Sequence, residues 1–331
     1  MQRFKAFRVE NNEGGGGRIG GRVVDITLDD LAPGEVVFRT EYSGVNYKDA
    51  LAATGTGGKI IRKFPLVAGI DAAGTVVSST DPRYAPGDAV ICTSYDMGVA
   101  HDGGYAQYCR VPAAWCVPLP RGLTLFEAMA LGTAGYTAGL AIELLEQNGL
   151  KPQNGPVLVN GATGGVSTLA IDMLAKQGYA VTAMTGKSDE RDFLLGLGAA
   201  EVVPRPALEG TTRPLEKSLW AAAFDAVGGA QLGWLTRTMQ QHGLIASYGN
   251  AGGIELHTTV LPFILRGVRL IGVDSVMTPM PLRSHVWQRL AQDLKPRHLD
   301  AIASVIHLED LPQQFERVLK AQHRGRAVVQ L

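Results

Sequence analysis

The segment Val157-Leu158-Val159-Asn160-Gly161-Ala162-Thr163-Gly164-Gly165-Val166-Ser167 sets a glycine-rich turn between an apolar run and a helix-forming stretch. Glycines in such a turn let the backbone approach a pyrophosphate, and the following helix N-terminus offers oriented N–H donors at its positive dipole end. Dinucleotide binding through Ala162, Thr163, Gly164, Gly165 and Val166 is the chemistry this spacing predicts, within a β-turn-α-β unit of about thirty residues. The alternative is a tight βα turn that holds no ligand. Ser167 stands where the pattern usually ends in glycine, and is small enough to keep helix and strand close.

A second group lies at the end of the next expected strand. NAD-binding chains commonly carry an acid there, about twenty residues on, to bond the ribose hydroxyls. Here Met184-Thr185-Gly186-Lys187-Ser188 offers a hydroxyl and an ammonium, and Arg205 follows the next strand in Val202-Val203-Pro204-Arg205. Each cation alone reads as a solvated surface charge. Placed together at the adenosine end they predict recognition of a 2′-phosphate, with Thr185, Gly186, Lys187 and Arg205 as contacts and NADPH as the cofactor.

These groups need elements to hold them. From Leu123 onward strand-like and helix-like stretches alternate: Glu127 to Leu145 reads as a helix, then come the strand before the turn, a helix over Val166 to Gly178, and βα pieces at Leu194 to Val203, Phe224 to Val227, Leu244 to Tyr248 and Val268 to Val273. Such alternation predicts a parallel sheet with crossovers. Before it, short β-rich pieces (Gly34 to Tyr42, Gly74 to Val77, Asp88 to Thr93, Ala106 to Val111) alternate with Gly and Pro turns, the texture of an antiparallel barrel or sandwich. The chain therefore reads as α/β, a Rossmann-type domain between an N-terminal β domain and a tail, Gly325-Arg326-Ala327-Val328-Val329-Gln330-Leu331, that returns to it.

Composition narrows the function. A chain of 331 residues exceeds what one core usually organises. Lys+Arg and Asp+Glu balance at 31 each, so no overall field favours nucleic acid or an anionic membrane, and an anionic ligand must meet local cations. Cys92, Cys109 and Cys116 are odd in number and form no CxxC pair, so buried free thiols are expected. No apolar run near the roughly 18 residues of a membrane span is expected, and the N-terminus reads as a strand, so a reducing, cytoplasmic setting follows. The stretch Gly14 to Gly21 lacks the preceding buried strand and the Gly-Lys-Ser/Thr ending of a phosphate loop and reads as a flexible hairpin loop. His101, in a polar loop, is expected to face solvent.

Several longer strings carry a resemblance: Val45-Asn46-Tyr47-Lys48-Asp49-Ala50, the run Phe64 to Gly74, Pro86-Gly87-Asp88, Gly103-Gly104-Tyr105-Ala106, the run Gly132 to Ala138, and the runs Pro262 to Leu270 and Gly272 to Pro279. With them nearly the whole chain resembles the medium-chain dehydrogenase/reductase superfamily, in the zinc-independent, quinone-oxidoreductase-like branch that holds acryloyl-CoA reductases. The resemblance implies a Rossmann-type domain, 123–275, inserted into a GroES-like β-barrel domain, 1–122, with 276–331 returning to the latter. It also implies NADPH use and a homodimer. Zinc-type members carry Cys where this chain has Gly44 or Val45 and His-Glu where it has Ile70-Asp71, and the four-Cys lobe is missing too, so no metal is expected.

Without a metal, activation falls to hydrogen bonds and to a side chain or water that gives a proton. Asn46, Tyr47, Lys48 and Asp49 are the polar group in the loop that the resemblance places at the nicotinamide, with Asn46, Tyr47 and Asp49 the catalytic candidates. Tyr47 is the expected donor or carbonyl orienter, since a phenol donates while uncharged, against a reading as a wall residue. Asp49 has the alternative of capping the next helix. By resemblance Tyr47, Thr137, Asn250, Phe263, Ile264 and Ser275 lie along the cofactor, and Arg326 closes over it. An acyl-CoA thioester, acryloyl-CoA foremost, is the expected substrate, with Arg62 and Lys63 of the basic run Lys59 to Lys63 meeting its phosphates. Arg266 and Arg269 read as dimer or sheet-edge residues. Two other readings stay open: a general NADPH:quinone or enone reductase, and a non-catalytic NADPH-binding protein.

Overall fold

The β-rich first third of the chain becomes two sheets in a computed structural model, which describes residues 3–12, 18–58, 60–208 and 213–331. In the smaller sheet, Arg18–Ile26, Phe4–Asn12 and Leu66–Val67 lie antiparallel in that order. The larger runs Ala303–Ile306, Arg326–Gln330, Val36–Gly44, Asp71–Ser79, Ala89–Thr93, Cys116–Pro118, with Tyr108–Val111 also paired to Val36–Gly44. The C-terminal tail thus completes a sheet begun near the N-terminus. Its register, Val328 opposite Gly44 and Val329 opposite Ser43, sets Arg326 across from Asn46.

Two compact units result. One comprises Met1–Ala134, Val276–Ala291 and Leu299–Leu331, the other Gly135–Ser275 and Gln292–His298. Residues 123–134, expected with the dinucleotide domain, pack with the first unit, and 292–298, expected with the tail, pack with the second. In the first unit the helix Tyr47–Thr54 and the helix Leu311–Leu319 share a core of Ala50, Ala53, Leu311 and Phe315 with Val45, Ala327 and Val329. The second unit holds one six-stranded parallel sheet in the order Glu201–Pro204, Val181–Thr185, Val157–Val159, Trp220–Asp225, Met239–Ser247, Arg269–Gly272. Numbered from the first of them in the chain, that order is 3-2-1-4-5-6, the doubly wound arrangement that binds dinucleotides beyond the carboxyl ends of the central strands.

Three expectations need correction. The helix Leu125–Gln147 is long and apolar enough to cross a membrane by length and composition, but 89% of that window is buried within the protein, and at Gly132 (φ 50, ψ −154) it departs from helical geometry. The glycine stretch is narrower as a loop than expected, because Gly20 and Gly21 belong to the strand Arg18–Ile26 and pair with Glu10 and Val9 in a hairpin; residues 13–17 lie outside the described residues. His101 is buried, its ring nitrogens bonded to the carbonyls of Asp102 (3.0 Å) and Pro33 (2.9 Å), with its edge against Trp115. The three cysteines are free and buried.

Candidate active site

The dinucleotide turn is held from beneath by a buried carboxylate. Asn160 is sealed under the turn. Its Nδ2 donates to Asp225 Oδ1 at 2.5 Å, and its Oδ1 accepts from the Ala226 amide at 2.7 Å. Asp225 ends the neighbouring strand and accepts from three further donors, the Val227 and Gly228 amides and the Ser247 hydroxyl. Burial raises its pKa, and the bond from Asn160 opposes the rise. Gly161 adopts φ 55, which only glycine enters without strain. The departure at Ser167 has a use: its hydroxyl donates to the Asn160 carbonyl at 2.9 Å and ties helix to turn. Above this support Gly164 is exposed and starts the helix Gly165–Lys176, so bare backbone and a helix N-terminus face outward, as a pyrophosphate requires.

At the other end of the expected cofactor path, Arg205 lies beside the loop that holds Lys187. Thr185 pairs with Pro204 across parallel strands, which brings Arg205 alongside Gly186. A Cβ at Gly186 would stand 3.3 Å from Arg205 Cζ, so the glycine leaves room for the guanidinium to lie over the loop. Lys187 follows directly, its amide donating to Thr185 Oγ1 at 3.1 Å. Further along the strand ends, Ser247 to Asn250 and Gly272 to Asp274 line a cavity of about 630 Å³ that contains the expected Asn250. Among the other expected cofactor residues, Thr137 and Ser275 are buried, Ile264 is exposed, and Phe263 packs partly against the core that holds Leu158, Met184 and Ile245. These features fit a dinucleotide with a charged adenosine end.

In the first unit the expected trio divides. Tyr47 begins the helix Tyr47–Thr54 and is 45% exposed. Asp49 is buried: one oxygen accepts from the Asn46 amide (2.9 Å) and side chain (3.2 Å), the other from the Ile70 amide (2.9 Å). Burial and the charge of Asp71 push its pKa up to about 7, against those donors. Asp49 is thus buried and caps the helix, the alternative to its expected catalytic place. Asn46 is spent as well, since its Nδ2 donates to Asp49 and to Asp71 Oδ2 (2.8 Å) while its Oδ1 accepts from Arg326 Nη1 (3.0 Å). Both amide hydrogens are used inside the protein, so Asn46 supports the loop.

Arg326 is buried as well. Only 3% exposed, it donates to the carbonyls of Val45 (2.7 Å) and Ala130 (3.1 Å) and lies 3.6 Å from Asp71, turned into the unit rather than over a cofactor. Asp71, which stands where zinc-type members carry a ligand, is the hub: it also accepts from the Thr133 amide (2.9 Å) and hydroxyl (2.5 Å). Among the described residues no cluster of three His, Cys, Asp or Glu is placed to hold a metal. Arg62 is exposed and pairs with Asp96 at 3.3 Å, and Lys63 is exposed beside it; Lys59 lies outside the described residues. Arg266 clamps the carbonyls of Arg237, Met239 and Glu216, and Arg269 sits on the edge strand.

Residues 32–121 match the alcohol dehydrogenase GroES-like domain. The acrylyl-CoA reductase AcuI of Ruegeria pomeroyi is 48% identical over 327 residues, 98% of each chain. The chain belongs to the medium-chain dehydrogenase/reductase superfamily. Within the superfamily it is also 48% identical to YhfP of Bacillus subtilis, provisionally named a quinone oxidoreductase, over 99% of each chain. The solved structure of YhfP, with NAD bound, superposes with a TM-score of 0.96 over 100% of both chains. That of Escherichia coli YhdH with NADPH bound gives 0.94 at 44% identity, over 98% of this chain and 99% of that one.

Proposed function

We propose that the chain uses NADPH to reduce the carbon–carbon double bond of acryloyl-CoA, yielding propionyl-CoA. The observation that carries this reading is its near full-length similarity to the acrylyl-CoA reductase. The basic corner of Lys187 and Arg205 supports NADPH over NADH, as does the NADPH-bound relative.

Bound NADPH would supply the hydride. Conjugation leaves the β-carbon of the enoyl thioester as the electrophile, so charge moves to the carbonyl oxygen and the α-carbon then takes a proton. Of the chain's own polar groups in the Asn46 to Asp49 loop, Tyr47 is the one with an exposed side chain, and we assign it to the proton or to the carbonyl oxygen. Thr137, Asn250, Phe263, Ile264 and Ser275 are assigned to the cofactor, and the exposed Arg62 and Lys63 to the phosphates of CoA. With NADPH deuterated at the transferable position, deuterium is expected at C3 of propionyl-CoA, and solvent deuterium at C2. Label at C2 would refute this direction of transfer. The similarity to YhfP favours a second reading, a general quinone or enone reductase.

The reading includes a homodimer. The strand Arg269–Gly272 ends its sheet, and Val260 and Leu265 are exposed on the segment just before it. An open edge beside exposed apolar groups is a surface suited to a second copy. Sedimentation should give about twice 35.2 kDa, falling to one chain for a Val260→Glu, Leu265→Glu variant; a monomeric parent would remove this part. The three free thiols fit the cytoplasmic setting included in the reading.

A further inference from the structure

We infer that Asp71 and Arg326 form a positioning pair, seated between Gly44 and Gly132, that fixes Asn46 and through it the start of the helix carrying Tyr47. The inference rests on the role assigned to Tyr47 above for its effect on turnover, but not for its effect on the loop. Neither residue touches solvent enough to meet a ligand.

The pair makes an ion contact and a set of hydrogen bonds, although Arg326 Nη2 itself is buried without a hydrogen-bond partner among the described residues. Asp71 Oδ2 faces Arg326 Nη2 at 3.6 Å and also accepts from Asn46 Nδ2 and the Thr133 amide, while Thr133 Oγ1 donates to Oδ1. Arg326 Nη1 in turn holds both the Val45 carbonyl and Asn46 Oδ1. Asn46 is therefore gripped by an anion at its amide nitrogen and by a cation at its amide oxygen, which fixes which way the amide is turned. Residue 45 is tied a second time, its amide donating to the Ala327 carbonyl at 3.0 Å.

Room for the pair exists because two residues lack side chains. A Cβ at Gly44 would stand 2.6 Å from Arg326 Nη2 and 2.8 Å from Asp71 Oδ2; one at Gly132 would stand 2.5 Å from Asp71 Oδ2 and 2.7 Å from Arg326 Nη2. Gly132 further adopts φ 50, so its break in the helix Leu125–Gln147 is what brings the Thr133 amide onto Asp71. The pair is buried and its other polar atoms are hydrogen-bonded, so losing one partner leaves the other charge uncompensated.

The test uses Asp71→Asn and, because that variant strands a buried arginine, the milder Thr133→Val, which removes one donor to Asp71 and no charge. Amide exchange across residues 45–49 should quicken in either variant while the dinucleotide unit keeps its protection; unchanged exchange there overturns the positioning claim whatever the role of Tyr47. Turnover should fall roughly 10–10² fold for Asp71→Asn, the scale of a small misplacement, and less for Thr133→Val, with NADPH affinity held within about twofold. If the pair acts through Tyr47, adding either substitution to Tyr47→Phe should slow the enzyme no further. Effects that multiply, or an equal loss of NADPH affinity, would show a merely structural role. Should Tyr47→Phe alone retain full turnover, the assignment of Tyr47 fails, and the exchange arm still decides the pair.

Discussion

Tyr47→Phe is expected to lower turnover with acryloyl-CoA by roughly 10²–10⁴ fold, the range for losing an acid–base group, and to leave NADPH affinity nearly intact. The substitution is narrow. It keeps the ring, so a role as a wall is preserved, and it leaves untouched the bonds from Asn46 and Ile70 to Asp49 that start the helix. Those same bonds make Tyr47 the informative residue, because its polar neighbours Asn46 and Asp49 are occupied inside the protein. The comparison is between kcat with saturating NADPH and the NADPH dissociation constant measured by nucleotide fluorescence. An undiminished kcat would remove Tyr47 from the chemistry and point to water or a ribose hydroxyl as the proton source.

The second large effect concerns the cofactor. Replacing both Lys187 and Arg205 with alanine should weaken NADPH far more than NADH. A charged hydrogen bond contributes about 1.5–3 kcal/mol, and about 1.4 kcal/mol is tenfold, so two such bonds, reduced somewhat by exposure to solvent, shift preference by two or more powers of ten. Arg205 lies beside Gly186, and Lys187 follows it in the same loop, so both meet one corner. The ratio of kcat/KM for the two nucleotides reads the effect. Equal losses would mean that neither residue reads the 2′-phosphate. The contrast is pointed by the relatives, of which one structure holds NAD and another NADPH.

What was legible in the sequence was local. The glycine-rich turn, the missing acid at Thr185-Gly186-Lys187 and the alternation that makes a parallel sheet all depend on neighbours within about thirty residues, where period and turn chemistry are strong signals. The partners of Arg326 at 45, 46, 71 and 130 are brought to it by strand pairing and by the helix Leu125–Gln147, distant contacts that a single sequence does not display. Asp71 and Asp225 went unused although each left a trace: a lone carboxylate next to or inside an apolar run, Ile70-Asp71-Ala72-Ala73 and Ala222-Ala223-Phe224-Asp225. A charge there must be paired or hydrogen-bonded, and both proved to be hubs that hold an asparagine. His101 was misjudged for a similar reason: a polar loop can fold inward when carbonyls and an aromatic ring wait for the imidazole.

The central claim is that this chain reduces an activated enoyl thioester with NADPH. Initial rates of NADPH oxidation with acryloyl-CoA, crotonyl-CoA, acrolein and a benzoquinone, compared as kcat/KM under one set of conditions, test it most directly. The account predicts the highest value for acryloyl-CoA, with stoichiometric formation of propionyl-CoA. A benzoquinone or acrolein turned over faster than either CoA ester would contradict it in favour of the quinone or enone reductase reading, and stoichiometric NADPH binding without turnover of any of the four would contradict it in favour of a non-catalytic nucleotide-binding protein.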